Sequence, residues 1–237
     1  MPQRRTLLLT RPAAQSAEFA MALDAALPGR FRVVAAPMIE IIALPGTPDL
    51  AGVGGLLFTS ANGVAQFADR IARRDLPAYC VGAMTAAAAR AAGFEAASAG
   101  GDVAALAALV AAHCHPEAGA LLHVRGRHAA GDLAGRLVAA GFEVRAAEIY
   151  DQRRRAPGAE ALALLEGAGV EAVAVFSPRS ARIFAQAARD GGWDLAGTTS
   201  VALSVAADAG LGDAGFARRI VAAAPTREGM IAALAEI

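Results

Sequence analysis

Leu57-Phe58-Thr59-Ser60-Ala61-Asn62-Gly63, followed by Phe67-Ala68, is an apolar run that closes on hydroxyl, amide and glycine residues. The style returns downstream as Val175-Phe176-Ser177-Pro178-Arg179-Ser180, followed by Phe184-Ala185. A short apolar run closed by helix-start residues reads as a buried strand turning directly into a helix. The likeness continues through Val81-Gly82 against Leu203-Ser204 and Ala92-Gly93-Phe94 against Ala214-Gly215-Phe216. A different pattern also recurs. Leu7-Leu8-Leu9-Thr10-Arg11 with Phe31-Arg32-Val33-Val34-Ala35-Ala36 matches Leu121-Leu122-His123-Val124-Arg125 with Phe142-Glu143-Val144-Arg145-Ala146-Ala147. Alanine-rich helices resemble one another by chance, but matched Phe, Gly and Ser positions point to duplication, in the order first, second, first, second.

Between these motifs, apolar runs alternate with Ala-rich amphipathic stretches, the βαβα pattern of a parallel sheet flanked by helices. The strands are expected at Leu7-Thr10, Arg32-Ala36, Leu56-Thr59, Ala78-Gly82, Ala120-Val124, Glu143-Ala147, Val173-Ser177, Ser200-Ser204 and Arg219-Ala223, with a short one near Glu95-Ala99. Each first-plus-second pair supplies about five strands, enough for one doubly wound α/β sheet of the flavodoxin type. Residues 38–44 and 147–152 continue in an extended, polar-mixed style after their strands and read as connectors. The chain is therefore expected to cross twice. Residues 1–37 with 153–237 form a first, discontinuous domain, 38–152 a second, and the two face each other across a cleft.

At 237 residues, 56% hydrophobic and 19% charged, the chain has ample material for two cores. Its formal net charge of +0 argues against nucleic-acid binding through a global basic field. All 22 basic residues are Arg, which excludes a Lys-dependent phosphate loop and a Schiff-base lysine. Cys80 sits in an apolar run and Cys114 has no framework around it, so a reducing compartment is expected. The helices expected around Ala83–Ala92 and Val103–Ala112 are about half the roughly 20 residues a bilayer requires. Arg4-Arg5-Thr6-Leu7-Leu8-Leu9 resembles a leader, but Arg11-Pro12 ends the apolar run early. A cytoplasmic, non-membrane protein is expected.

In open α/β sheets ligands bind beyond the carboxyl ends of the strands, where helix N-termini offer free N–H groups. Four such ends stand out: Thr10-Arg11-Pro12, Thr59-Ser60-Ala61-Asn62-Gly63, Arg125-Gly126-Arg127 and Ser177-Pro178-Arg179-Ser180. Singly each reads as helix capping. Together they point to capture of carboxylates or phosphates by backbone amides and Arg. Rival signatures fail: there is no G-x-S-x-G or H-E-x-x-H, and Gly52-Val53-Gly54-Gly55 precedes its strand and lacks a third dinucleotide glycine at Leu57. His113-Cys114-His115 is spaced too tightly at a helix end to aim three ligands at one metal. His123 reads as a strand residue and His128 as a surface helix residue. Tyr150, in the second connector upstream of Arg153-Arg154-Arg155, supports two readings: packing, or a phenol donating a proton to a departing group.

The ordered set Leu9-Thr10-Arg11-Pro12, Leu57 through Val64, Val81-Gly82-Ala83-Met84-Thr85-Ala86, Ile149-Tyr150 and Phe176-Ser177-Pro178-Arg179-Ser180 resembles the uroporphyrinogen-III synthase family over nearly the whole chain. The resemblance implies two flavodoxin-like doubly wound parallel-sheet domains joined by a two-strand connector. It also implies a cyclising hydro-lyase of tetrapyrrole biosynthesis, serving haem, sirohaem, cobalamin or chlorophyll. Its substrate would be hydroxymethylbilane, a polycarboxylate closed to uroporphyrinogen III with inversion of ring D, without metal or organic cofactor. A monomer is expected, with no nucleic-acid or membrane partner. Tyr150 resembles the tyrosine proposed to assist hydroxyl loss. Thr59, Ser60, Asn62, Gly82, Thr85, Ser177 and Ser180 resemble cleft-lining positions, and Arg11, Gly63, Arg125, Pro178, Arg179 and Ser204 join them as candidate substrate contacts. The last repeat carries Ser204 and Ala207 where the family commonly has Gly and then Thr, so Thr85 lacks a counterpart. A catalytically inactive two-domain binding or regulatory protein of the same fold is the competing reading.

Overall fold

Apolar runs bounded by turn residues become short parallel strands because their side chains can be buried on both faces once helices cover the sheet. The computed structural model describes residues 4–128 and 131–237. In chain order the elements are β1 (Arg5–Leu9), α1 (Ala13–Ala26), β2 (Phe31–Ala35), β3 (Ile39–Ala43), β4 (Val53–Phe58), α2 (Ala61–Ala68), β5 (Ala78–Cys80), α3 (Ala83–Ala91), β6 (Ala96–Ser98) and α4 (Val103–His113). After a 3₁₀ turn at Pro116–Ala118 come β7 (Ala120–Gly126), α5 (Leu133–Ala139), β8 (Val144–Arg154), α6 (Ala159–Glu166), β9 (Ala172–Val175), α7 (Pro178–Gly191), β10 (Thr199–Ala202), α8 (Val205–Ala209), β11 (Arg218–Val221) and α9 (Arg227–Ala235).

Two compact units result, residues 1–40 with 153–237 and residues 41–152. Unit 1 holds a five-stranded sheet in the order β11-β10-β9-β1-β2. Counting strands from β1, this is the doubly wound 2-1-3-4-5 order. Unit 2 has the same spatial layout, β8-β7-β4-β5-β6, with its two halves in the opposite chain order (5-4-1-2-3), and adds β3 at the edge beside β8. β3 and β8 run antiparallel, since Leu44 N–H donates to Ile149 O while Arg155 N–H donates to Met38 O. The duplication is carried into the hydrogen-bond register: Leu7 pairs with Val33 in one unit, and Leu121 with Val144 in the other. These are the positions the repeated sequence pairs.

Strand alternation distributes the core of unit 2 over two layers. Leu56 and Phe58 join the cluster beneath α2 and α3 with Val64, Phe67, Ala86, Ala89 and Phe94. Leu57, between them, joins Leu106, Val110, Leu133 and Leu137 beneath α4 and α5. In unit 1, Leu7 and Leu9 meet Phe19, Leu23, Met230 and Leu234 from α1 and α9. Phe67 lies 6.0 Å from Phe94, and Phe184 lies 6.1 Å from Phe216, so the matched phenylalanines make matched ring contacts. Such rings each contribute roughly 1.5–3 kcal/mol through burial.

Several expectations need correction. The repeat aligns differently by one residue at the strand-to-helix turns. Ser60 and Ser177 both cap helices, so Phe58, the last residue of β4, corresponds to Val175, and Phe176 corresponds to Thr59. Gly54 and Gly55 lie inside β4 rather than before it. A Cβ on Gly54 would stand 2.3 Å from the Ala118 carbonyl oxygen, which accounts for that glycine by backbone packing alone. His128 occupies an exposed bend after β7, not a helix. Among the described residues no helix is long and apolar enough to cross a membrane.

His123 sits on β7 at 5% exposure, and its Nε2 has no hydrogen-bond partner among the described residues. Desolvation, aided by the charge of Arg125, pulls its pKa from 6.5 to about 4. Between those values the unfolded chain binds a proton that the folded chain refuses, so stability falls as pH drops through this window and is unaffected above it. Wild-type protein is expected to lose roughly 3 kcal/mol of unfolding free energy between pH 7.5 and pH 4 through this group. His123→Leu removes that loss, which urea denaturation at a series of pH values checks. Equal acid sensitivity in both proteins contradicts the assignment.

Candidate functional site

The candidate residues collect at the carboxyl edge of each sheet, and near one point of it. In the 2-1-3-4-5 order the chain reverses direction across the sheet between its first and third strands, where two loops diverge and leave room for a ligand. That point lies between β1 and β9 in unit 1 and between β7 and β4 in unit 2.

In unit 1, Thr10 and Arg11 follow β1. Thr10 is fully buried and its hydroxyl donates to Ala174 O at 2.9 Å, tying the loop to β9. Arg11 donates to Gln15 Oε1 at 3.2 and 3.4 Å, and its guanidinium carbon lies 4.5 Å above the Phe176 ring. Burial lowers its pKa to about 10, with Glu18 opposing and Arg227 reinforcing the shift. It stays charged at neutral pH. A cation stacked on an aromatic face and half stripped of water suits an incoming carboxylate.

Beside it, Ser177 caps α7 by accepting from Ser180 N–H at 3.1 Å, with Pro178 at the first helical position. The two serine hydroxyls stand 2.7 Å apart, and Ser180 Oγ also donates to Ser177 O at 3.2 Å. Their side chains are therefore committed to the helix start. Arg179 is half-buried in the same turn. On the next strand over, Ser204 caps α8 by accepting from Ala207 N–H at 3.2 Å.

Unit 2 builds the same edge with less side-chain chemistry. Half-buried Thr59 follows β4, and Ser60 caps α2 by accepting from Asn62 N–H at 3.1 Å. Gly63, in the first turn, approaches β7 closely: a Cβ there would stand 3.1 Å from Val124 O. Gly82 is the N-cap of α3 and provides no side-chain cap, while Thr85 is buried in that first turn. Gly82 and Thr85 thus occupy the places of Ser204 and Ala207. The copy that lacks a capping hydroxyl carries a threonine three residues later.

Arg125 does not present an unpaired charge at this edge, because its Nη2 donates to Glu148 Oε1 at 2.6 Å across the neighbouring strand. Sequence reading could not see this partner, which lies 23 residues away and becomes adjacent only through β7–β8 pairing.

Tyr150 pairs with Gly126, the last residue of β7, and so sits at the carboxyl edge. It is 2% exposed and belongs to the core of unit 2. Its ring packs between two glycines, with Cε2 and Cζ toward Gly126 and Cε1 toward Gly63. Sequence reading singled out the strand end Arg125-Gly126-Arg127 but missed the contact of Gly126 with Tyr150 and the aromatic support of Arg11 by Phe176. In the structure Ile149, Tyr150 and Asp151 are all buried, three in succession where a regular strand would alternate. Asp151 lies 3.5 Å from Arg127 and 3.8 Å from His128. Among the described residues no group of three or more His, Cys, Asp or Glu could hold a metal ion.

A family model described as "HEM4: Uroporphyrinogen-III synthase HemD" matches residues 25–232. No curated protein matches the chain. Among solved structures, the chain is similar to the uroporphyrinogen-III synthetase of Helicobacter pylori, at 15% identity and TM-score 0.64, covering 99% of both chains. It is also similar to a mutant uroporphyrinogen III synthase of the extremely thermophilic bacterium Thermus thermophilus, at 16% identity and TM-score 0.56, covering 98% of both chains. At such identities the structural likeness speaks for the fold, while the family match spans nearly the whole sequence. The chain belongs to the uroporphyrinogen-III synthase family.

Proposed function

We propose that the chain converts hydroxymethylbilane to uroporphyrinogen III, losing one water and inverting ring D. The observation that carries this reading is the placement of Tyr150: its ring lies against Gly63 in the first turn of α2, so a proton donor and a helix N-terminus meet at one sheet edge. The remaining donors suit the substrate. Its carboxylates need hydrogen-bond donors and positive potential, which helix N-termini and Arg11 supply, and the chemistry needs no strong nucleophile.

In this mechanism the phenol of Tyr150 donates a proton to the terminal hydroxyl, which departs as water and leaves a reactive azafulvene. The substituted carbon of ring D attacks it to form a spiro intermediate, whose opening and reclosure inverts the ring. A proton lost from the closing ring restores the phenol, so atoms and charge balance. Because the azafulvene reacts unaided, the protein's main contribution is to hold the chain so that attack at the substituted carbon prevails. Backbone amides at Ser177, Arg179, Ser204 and Gly82 are proposed to hold the carboxylate side chains.

Purified protein given hydroxymethylbilane is expected to yield mainly the type III porphyrinogen in isomer analysis; type I alone, the product of spontaneous closure, would overturn the reading. Tyr150→Phe is expected to lower kcat by about 10²-fold while leaving the melting transition nearly unchanged. A wild-type rate in that variant returns Tyr150 to a packing role.

A further inference from the structure

We propose that Gly126 is a positioning residue for the Tyr150 phenol, acting together with a bulge at Ile149; this rests on the acid role given to Tyr150 above. Along β7 and β8 the pairing is regular from Leu121–Val144 to Arg125–Glu148, and then Gly126 pairs with Tyr150. One step on β7 spans two on β8, so Ile149 is the extra residue. Such bulges are uncommon between parallel strands, and their known use is to re-aim a side chain.

Here the re-aiming is visible in the core. Ala147 and Ile149 face the cluster beneath α2 and α3, so strict alternation would send Tyr150 to the opposite face. Tyr150 instead joins that same cluster. Two sets of contacts pin the bulge. The Ile149 carbonyl accepts from Leu44 N–H at 2.9 Å and from Arg70 Nη2 at 2.8 Å, and Arg127 N–H donates to Tyr150 O at 2.9 Å. Arg70 also donates to Leu44 O at 2.7 Å, so one guanidinium clasps β8 and the residue that follows β3.

Once re-aimed, the ring needs space, and Gly126 provides it. A Cβ at Gly126 would stand 2.6 Å from Tyr150 Cε2 and 2.7 Å from Cζ, the carbon bearing the hydroxyl. On the other edge, a Cβ at Gly63 would reach Cε1 at 3.9 Å, an ordinary contact. A single methyl group at 126 must therefore displace the ring's reactive edge. Gly126 has ordinary strand conformation, without a positive φ. Close approach, not backbone freedom, requires glycine there.

The test is a double-mutant cycle with steady-state kinetics and product isomer analysis. Gly126→Ala is expected to lower kcat by tenfold or more with KM within about twofold, since a displacement of about 1 Å costs on the order of 10²-fold. The Gly126→Ala/Tyr150→Phe protein is expected to be no slower than Tyr150→Phe alone, because a displaced acid matters only while the acid is present. Wild-type kcat in Gly126→Ala, with Tyr150→Phe slow, overturns the positioning role and leaves the acid role intact. An equal loss from Gly126→Ala in both backgrounds marks a merely structural residue and also overturns it. A wild-type rate in Tyr150→Phe overturns the acid reading, and this inference with it. Should Gly126→Ala not fold, Arg70→Leu removes the guanidinium that holds the Ile149 carbonyl and so loosens the bulge that aims the ring. A loss of about twofold or more that vanishes in the Tyr150→Phe background supports positioning, and any other result overturns it.

Discussion

A parallel strand buries both of its faces and sends its carboxyl end to the same edge as its neighbours, and nearly every feature of this protein depends on that constraint. Burial on two faces explains why Leu7–Leu9, Leu56–Phe58 and Ala172–Val175 read as unbroken apolar runs, and why Leu56 and Leu57 serve different helix layers. The shared edge explains the rest. Whatever follows β1, β9 and β10, or β7, β4 and β5, is brought together without further design. Helix N-termini must be capped at that edge, so the capping residues gather there.

Duplication adds a second copy of the edge, and divergence gives the copies different chemistry. Unit 1 places a stacked cation, Arg11 on Phe176, beside serines whose hydroxyls are committed to caps. Unit 2 neutralises its equivalent arginine with Glu148, replaces a capping serine with Gly82, and introduces a buried tyrosine. One edge is thus richer in charge and the other carries a buried tyrosine. The added pair of β3 with β8 supports the second edge, because Leu44 and Arg70 together hold the bulge that turns Tyr150.

Much of this was legible in the sequence. The strands, the doubly wound order and the interleaving follow from apolar runs, turn residues and self-similarity, which are local properties. The caps Ser60, Ser177 and Ser204 were legible for the same reason, since a capping side chain acts within three residues of itself. Alignment by matched Phe residues nonetheless slipped by one at Phe58 and Phe176. Helix starts are set by the cap, and a loop residue more or less moves an aromatic relative to it. The partner of Arg125 could not be read because it belongs to another strand. Tyr150 was recognised for its place in the connector, but neither its burial nor the bulge behind it could be read there.

The sequence by itself determined what short-range physics governs: which segments are strands, which residues start helices, how the two copies interleave, and the family to which the chain belongs. Only the tertiary structure decided which side chains meet. Strand pairing neutralised Arg125, set Arg11 on the ring of Phe176 from the far end of the chain, and left His123 Nε2 without a partner among the described residues. A one-residue shift between β7 and β8 reversed the face of Tyr150 and made Gly126 matter. Register and close approach are relations between distant segments, and they exist only once those segments are packed together.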